Sequence, residues 1–175
     1  MHSHTKGFLT PYQHRHRFFE AVECNCHNVI SIPCGSSIGN MPRLTQTIVE
    51  LHEIWDLDKS ANEVGFLTGA INQTTVVAVT SSVGQNLMDE LELEPSARIW
   101  TPTARYYLFD YIEPTASCLS KCKVPGLRIV NDGEWIPYPG NLMDGYLVHW
   151  EHDPWTVGTH PLPDEFWDRC LQNSA

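Results

Sequence analysis

Two short apolar segments separated by a Thr-Gly turn restrict the fold of this chain more than any other feature. The first segment ends in Phe66-Leu67, the turn is Thr68-Gly69, and the second segment runs from Thr75 to Val79. Valine and threonine dominate the second segment, and β-branched side chains of this kind suit a buried, pleated surface. We therefore predict two strands, with the valines of the second strand in the core.

The rest of the chain mixes helical and extended patterns. Residues 83–93 carry Leu87, Met88 and Leu91 at helical spacing, and their acidic residues are expected on the solvated face. Further helices are predicted at residues 18–24 and 45–57 and from Pro163 onward, and short strands at residues 29–33, 98–101, 105–112, 127–129, 135–136 and 145–150, with Asn131-Asp132-Gly133 as a hairpin turn. These patterns predict one α/β domain over residues 18–171, preceded by a flexible N-terminus at residues 1–17.

The composition favours a soluble protein that does not hold duplex DNA strongly. Acidic residues outnumber basic ones by 21 to 11, which gives a net charge of −10. Because contacts from Lys and Arg to phosphate dominate affinity for nucleic acid, a chain whose only dense cationic patch is residues 14–17 is not expected to grip a duplex.

The chain contains no apolar run of membrane-spanning length, and its first residues lack the apolar core of a signal peptide. We therefore predict an intracellular protein, cytoplasmic or nuclear, without membrane contact.

Six cysteines leave two interpretations open. Zinc could be held by thiolates and an imidazole from two groups, since those ligands suit this ion. The candidate ligands are Cys24, Cys26, His27, Cys118 and Cys122. Reduced thiols without a metal are the preferred interpretation, because the second pair does not have the usual spacing of a zinc knuckle.

An ordered series of landmarks from Phe18 to Leu171 resembles the DNA primase/polymerase family, the archaeo-eukaryotic primase-like or prim-pol domain. The family has a helix ending in Trp, a turn ending in Thr-Gly, a strand with two acids followed by a Leu-rich helix, an aromatic strand, a Pro-Gly segment with a hairpin, and a closing strand. The similar segments here are Ile54-Trp55, Asn62 to Gly69, Val76 to Leu93, Thr101 to Phe109, Pro125 to Gly140 and Gly145 to Trp150. The resemblance implies an α+β domain with a central mixed or antiparallel sheet flanked by helices.

The same resemblance implies that the family's chemistry is lost. Nucleotidyl transfer by this family needs three acids that hold divalent metals and a His near the phosphates. The matching positions are Ala78 and Thr80 for the paired acids, Tyr106 (or Tyr107) for the His, and Arg128 for the third acid. No carboxylate or imidazole stands at these positions, so neither primase nor polymerase activity by the family mechanism is expected, and no metal or cofactor is predicted.

A cationic and aromatic cleft would replace the metal centre. Arginine binds phosphate or carboxylate directly, and tyrosine can stack on a base. The candidate ligand-binding residues are Thr80, Ser81, Ser82, Arg105, Tyr106, Tyr107 and Arg128. Of the nearby acids, Asp132 is interpreted as a turn former, and Glu134 and Asp110 as isolated, solvated residues, so none of the three restores the metal centre.

Three functional hypotheses follow from these patterns. The first is a degenerate prim-pol-like domain that binds a nucleotide or another small anionic ligand in the former active-site cleft. The second is an enzyme with new chemistry in that cleft, with a Tyr at position 106 or 107, or His149 or His152, as acid or base. The third is a scaffold for a protein partner, which would use the aromatic residues Trp150, Trp155, Phe166 and Trp167.

Overall fold

The computed structural model describes residues 29–32, 63–91, 96–113 and 122–171. Several predictions fall outside these residues: the flexible terminus, the cationic patch at residues 14–17, and the helices at residues 18–24 and 45–57.

The described residues form helices and antiparallel sheets, so the predicted α+β class is confirmed. The strands are β1 (Val29–Ile32), β2 (Glu63–Leu67), β3 (Thr74–Val79), β4 (Arg98–Trp100), β5 (Arg105–Asp110), β6 (Leu127–Val130), β7 (Trp135–Pro137), β8 (Leu142–Met143), β9 (Tyr146–Leu147) and β10 (His149–His152). The helices are α1 (Ser82–Glu90), α2 (Pro154–Val157) and α3 (Asp164–Leu171).

The strands make two main sheets and one small hairpin. A five-stranded sheet has the order β10-β4-β5-β3-β6, a three-stranded sheet has the order β1-β2-β7, and β8 pairs with β9. Every pairing between these strands is antiparallel.

Strand β3 lies inside the five-stranded sheet and is buried over its whole length. Since successive side chains of a strand point to opposite faces, its apolar residues supply two separate cores. Val76 and Ala78 face the three-stranded sheet and pack in one cluster with Phe66 and Ile136. On the opposite face, Val77 and Val79 belong to the cluster that includes residues of α1 and α3. The described part of the chain therefore has three layers, with the five-stranded sheet in the middle.

Two turns carry the chain between the sheets and contact each other. The Thr68 hydroxyl donates to the Asn131 carbonyl at 2.6 Å, and the Ala70 amide donates to Asp132 Oδ1 at 2.7 Å. The predicted hairpin is therefore wrong: Asn131-Asp132-Gly133 does form a turn, but β6 pairs with β3, whereas β7 pairs with β2. A turn signal specifies a local reversal of the chain, but it does not specify the partners of the two strands that it joins.

The predicted strand over residues 145–150 is also divided. Val148 separates β9 from β10, and its amide donates to the Asn141 carbonyl at 2.9 Å. Strand β9 pairs with β8, and β10 pairs with β4 at the edge of the five-stranded sheet.

Helix α1 begins at Ser82 because Ser81 has an extended backbone and caps the first turn. The Ser81 hydroxyl accepts a hydrogen bond from the Gly84 amide at 3.1 Å. Leu87 and Met88 are buried, while Asp89 and Glu90 are exposed, as the periodicity of the sequence predicts.

Candidate functional site

Three of the residues singled out by the resemblance are neighbours across the five-stranded sheet. Ala78 of β3 lies opposite Tyr106 of β5 on one side and opposite Arg128 of β6 on the other. Directly opposed residues of an antiparallel pair have Cβ atoms about 4.5–5.5 Å apart and share one face of the sheet. The strand register therefore brings these three positions into one row, which we call the Tyr106–Ala78–Arg128 row.

This row runs from the core to the surface. Tyr106 is 1 % exposed and Ala78 is 5 % exposed, whereas the Arg128 side chain is 51 % exposed. Burial raises the pKa of the Tyr106 phenol well above its ordinary value of 10.0, and the Arg128 charge acts in the opposite direction. An external ligand can reach the Arg128 end of the row, and at neutral pH the phenol stays protonated.

The Arg128 guanidinium forms an ion pair with the Glu134 carboxylate. Glu134 also accepts a hydrogen bond from the Asn131 amide at 3.1 Å through its other oxygen. The interpretation of Glu134 as a solvated, isolated acid is therefore wrong, because the turn between the two sheets places it directly beside Arg128.

The other two acids near the site also have structural partners. Asp132 accepts from the Ala70 amide and from the Tyr111 hydroxyl, at 2.7 and 2.8 Å, so it joins two segments as well as forming its turn. Asp110 accepts from the Thr159 hydroxyl at 2.5 Å, in contrast to its interpretation as an isolated residue.

Thr80 and Ser81 use their hydroxyls to hold the loop before β6. Thr80 Oγ1 donates to the Gly126 carbonyl at 3.1 Å, and Ser81 Oγ donates to the Pro125 carbonyl at 2.6 Å. Ser82 is exposed at the first turn of α1. These residues lie at the end of β3, close in sequence to Ala78, and two of them already have a structural role.

Arg105 and Tyr107 lie on the other face of the sheet from Tyr106. Tyr106 packs between the two sheets, whereas Tyr107 packs in the cluster under the helices. Arg105 is two residues from Tyr107 and shares its face because side chains alternate along a strand. The seven candidate residues therefore do not form a single cleft.

A second polar cluster, which the sequence did not reveal, surrounds Glu151 on this helix-side face. Glu151 Oε2 lies 2.9 Å from Arg98 Nε and 3.4 Å from Arg105 Nε. Neither Arg98 Nε nor Glu151 Oε2 has a well-aligned hydrogen bond among the described residues, so charge holds this contact rather than a directed bond. Two guanidinium groups therefore share one carboxylate oxygen.

Aromatic and amide groups border this cluster. The Arg98 guanidinium lies 5.2 Å from the centre of the Tyr107 ring, and Gln85 donates to the Tyr107 hydroxyl at 2.8 Å. On the next row of the same face, Trp100 stacks on His149 with ring centres 5.1 Å apart. His149 also contacts the Leu147 carbonyl through Nδ1 at 3.0 Å. No sequence signal could have joined Arg98 to Glu151, because a bulge in β10 sets their register.

The four aromatic residues proposed for a protein-binding surface differ from one another in their exposure to solvent. Phe166 is fully buried in the helix-side core, Trp150 and Trp167 are half-buried, and Trp155 is the exposed member. Trp155 lies against Trp150 in an edge-to-face arrangement, with ring centres 5.7 Å apart.

The part of the chain that the structure describes contains no group of three or more His, Cys, Asp and Glu residues that could hold a metal ion. Of the zinc ligands considered above, Cys122 lies within the described residues, and Cys24, Cys26, His27 and Cys118 lie outside them. Among the same described residues, no helix is long and apolar enough to cross a membrane.

Comparison with protein-family models and with curated proteins gives no match to this chain.

Proposed function

We propose that this chain is a catalytically degenerate prim-pol-like domain that binds a nucleotide or another small anionic ligand at the Arg128 end of the Tyr106–Ala78–Arg128 row. The observation that carries the proposal is the strand register, in which Ala78 is the direct neighbour of both Tyr106 and Arg128. The resemblance assigns these positions to an acid, a His and another acid. Residues that together bind metal ions must lie side by side. The adjacency of these three positions therefore supports the proposal that they replace the family's metal ligands.

The chemistry of Arg128 suits a ligand that needs no metal. A guanidinium offers two parallel N–H donors to a phosphate or carboxylate. Arg128 is half-exposed, and its present partner is the single carboxylate of Glu134. Exposed ion pairs contribute only about 0–1 kcal/mol, so an anionic ligand with several oxygens can compete with Glu134 for the guanidinium.

The same geometry does not favour Tyr106 as a general base. Its buried phenol has a raised pKa, so the group keeps its proton at neutral pH and is not available as a base.

The test is ligand-induced stabilisation of the protein in a thermal unfolding assay. Nucleoside mono- and triphosphates are added with and without Mg²⁺ or Mn²⁺, to wild type, Arg128→Ala and Arg169→Ala. The control is well matched, because Arg169 is also a surface arginine paired with one glutamate, Glu90, but lies on α3. A ligand at a hundred times its Kd adds about 2.7 kcal/mol to stability.

We expect nucleotide stabilisation without metal, lost in Arg128→Ala and kept in Arg169→Ala. Stabilisation that requires Mg²⁺ or Mn²⁺ would contradict the proposal, because it would indicate a working metal centre. An equal loss in both variants, or no response to any nucleotide, would also contradict it.

A further inference from the structure

Cys122 and Cys170 are distant in sequence, yet their thiols are hydrogen-bonded to each other. Cys122 lies in the segment that leads into β6, and Cys170 lies in the last turn of α3. A backbone hydrogen bond joins the same two segments, since the Lys123 amide donates to the Cys170 carbonyl at 3.1 Å. Both residues are free cysteines. Main-chain and side-chain contacts thus hold the two sulfur atoms together.

The two thiols have different environments. Cys170 is 1 % exposed and belongs to the helix-side core, whereas Cys122 is half-buried at the margin of the same core. The hydrogen bond from Cys170, aided by one from the backbone of Val124, lowers the pKa of Cys122 from 9.0 to about 7. The same contact and burial raise the pKa of Cys170. The accessible member of the pair is therefore the one that ionises.

We propose that Cys122 and Cys170 are a thiol–disulfide switch that a low-molecular-weight disulfide such as glutathione disulfide oxidises. The Cys122 thiolate attacks one sulfur of glutathione disulfide, whose S–S bond breaks to release one glutathione thiolate. The Cys170 thiol gives its proton to that thiolate or to solvent, and its sulfur attacks Cys122 Sγ and displaces the second glutathione. Two protein thiols are oxidised, and one glutathione disulfide is reduced to two glutathione molecules.

The position of the pair gives this switch a structural consequence. The segment that starts at Cys122 continues to Pro125 and Gly126. The Pro125 carbonyl accepts a hydrogen bond from the Ser81 hydroxyl, and the Gly126 carbonyl accepts one from the Thr80 hydroxyl. A disulfide would therefore tie α3 covalently to the loop that contacts the start of α1 and leads to Arg128. We expect the oxidised protein to unfold at a higher temperature than the reduced protein. The switch does not depend on the proposed ligand.

The first test maps the disulfide in the full chain. Reduced protein is incubated with glutathione disulfide, free thiols are alkylated under denaturing conditions, and peptides are identified by mass spectrometry. We expect a pair of peptides linked by a disulfide between Cys122 and Cys170. Treatment with reduced glutathione should break this disulfide and separate the two peptides. In Cys170→Ala, Cys122 should stop at the mixed disulfide with glutathione, and in Cys122→Ser, Cys170 should stay unmodified. Cys118→Ser, which removes a neighbouring cysteine outside the pair, should still form the link.

A link from Cys122 to another cysteine, or reaction of Cys170 when Cys122 is absent, would overturn the proposal.

A second measurement does not need the disulfide to form. Alkylation of Cys122 in the native wild-type protein should show a midpoint near pH 7, and in Cys170→Ala the midpoint should rise toward 9.0.

At pH 7 the thiolate fraction of Cys122 would then be about 50 times that of a thiol with a pKa of 9.0. Its lower basicity makes the thiolate about tenfold less nucleophilic, so we expect wild-type Cys122 to react about fivefold faster than Cys122 in Cys170→Ala. The same midpoint and rate in both proteins would overturn the proposal.

Discussion

The side chain of Asn141 is hydrogen-bonded to both backbone groups of Val64. The Val64 amide donates to Asn141 Oδ1 at 3.1 Å, and Asn141 Nδ2 donates to the Val64 carbonyl at 2.7 Å. This contact lies beyond Pro137, where β7 ends, and the Val64 carbonyl also accepts the Tyr138 amide at 3.0 Å. Asn141 therefore acts as an extra strand residue that continues the pairing of β2 past the end of β7.

We expect Asn141→Leu to destabilise the protein by about 1–3 kcal/mol, because the buried Val64 amide would lose its partner. Asn141 is 2 % exposed, so water cannot replace the lost bond without opening the structure. Chemical denaturation measures the change in the free energy of unfolding. Asn86→Leu on the exposed surface of α1 is the control, with an expected change within about 0.5 kcal/mol. Equal effects of the two substitutions would show that the Asn141 contact does not stabilise the fold.

Ser81 and Ser82 are adjacent hydroxyl residues that should differ sharply in their contribution to stability. Ser81 caps α1 and also donates to the Pro125 carbonyl, so Ser81→Ala should cost about 1–2 kcal/mol without any ligand. Ser82 is exposed, and Ser82→Ala should change stability by less than about 0.5 kcal/mol. The midpoints of urea unfolding provide the comparison. If Ser82→Ala proved the more damaging substitution, the assignment of the cap would be wrong.

Gly126 is close to Ser81, and its backbone has a positive φ of 72°. A Cβ at this position would collide with the Ser81 side chain. Gly133 provides a matched control, because its φ is 77° and a Cβ there would meet no atom within 4 Å. We expect Gly133→Ala to cost about 1–2 kcal/mol from the left-handed backbone alone. Gly126→Ala should cost more, since the steric clash adds to that strain, and similar losses in thermal unfolding would refute the close approach.

Tyr106 should make the native state sensitive to alkaline pH. Burial raises the pKa of its phenol in the folded protein, whereas the unfolded chain ionises near 10.0. Above pH 10 the unfolded state therefore loses a proton that the native state retains, so the free energy of unfolding falls as the pH rises. The slope from this residue approaches about 1.4 kcal/mol per pH unit. Tyr106→Phe removes this dependence.

The measurement is denaturant unfolding of wild type and Tyr106→Phe at pH 9 and pH 11. Between the two pH values, wild type should lose about 1.4 kcal/mol more stability than the variant. Taking the difference cancels the titration of the other tyrosines and of the lysines. Parallel losses in the two proteins would mean that the phenol ionises equally well in the folded state.

Local sequence patterns were sufficient to predict the strands β2 and β3, helix α1 and the turn at residues 131–133. Each depends on neighbouring residues: β-branched runs favour strands, the spacing of Leu87 and Met88 defines one helical face, and Asn-Asp-Gly permits a sharp reversal. The resemblance also singled out Ala78, Tyr106 and Arg128 before any register was known. Their side-by-side placement follows from the pairing of β3 with β5 and β6.

Only the tertiary structure decided which strands pair and which side chains meet. The turn at residues 131–133 suggested a hairpin, yet its two strands belong to different sheets. Because side chains alternate along a strand, Tyr106 and Tyr107 lie on opposite faces of the five-stranded sheet. The register of β10 places Glu151 beside Arg98 and Arg105. The physical reason is that strand pairing and packing join residues far apart in the chain, so their free energy depends on contacts that no local pattern records. Sequence determined the elements, and long-range pairing determined the site.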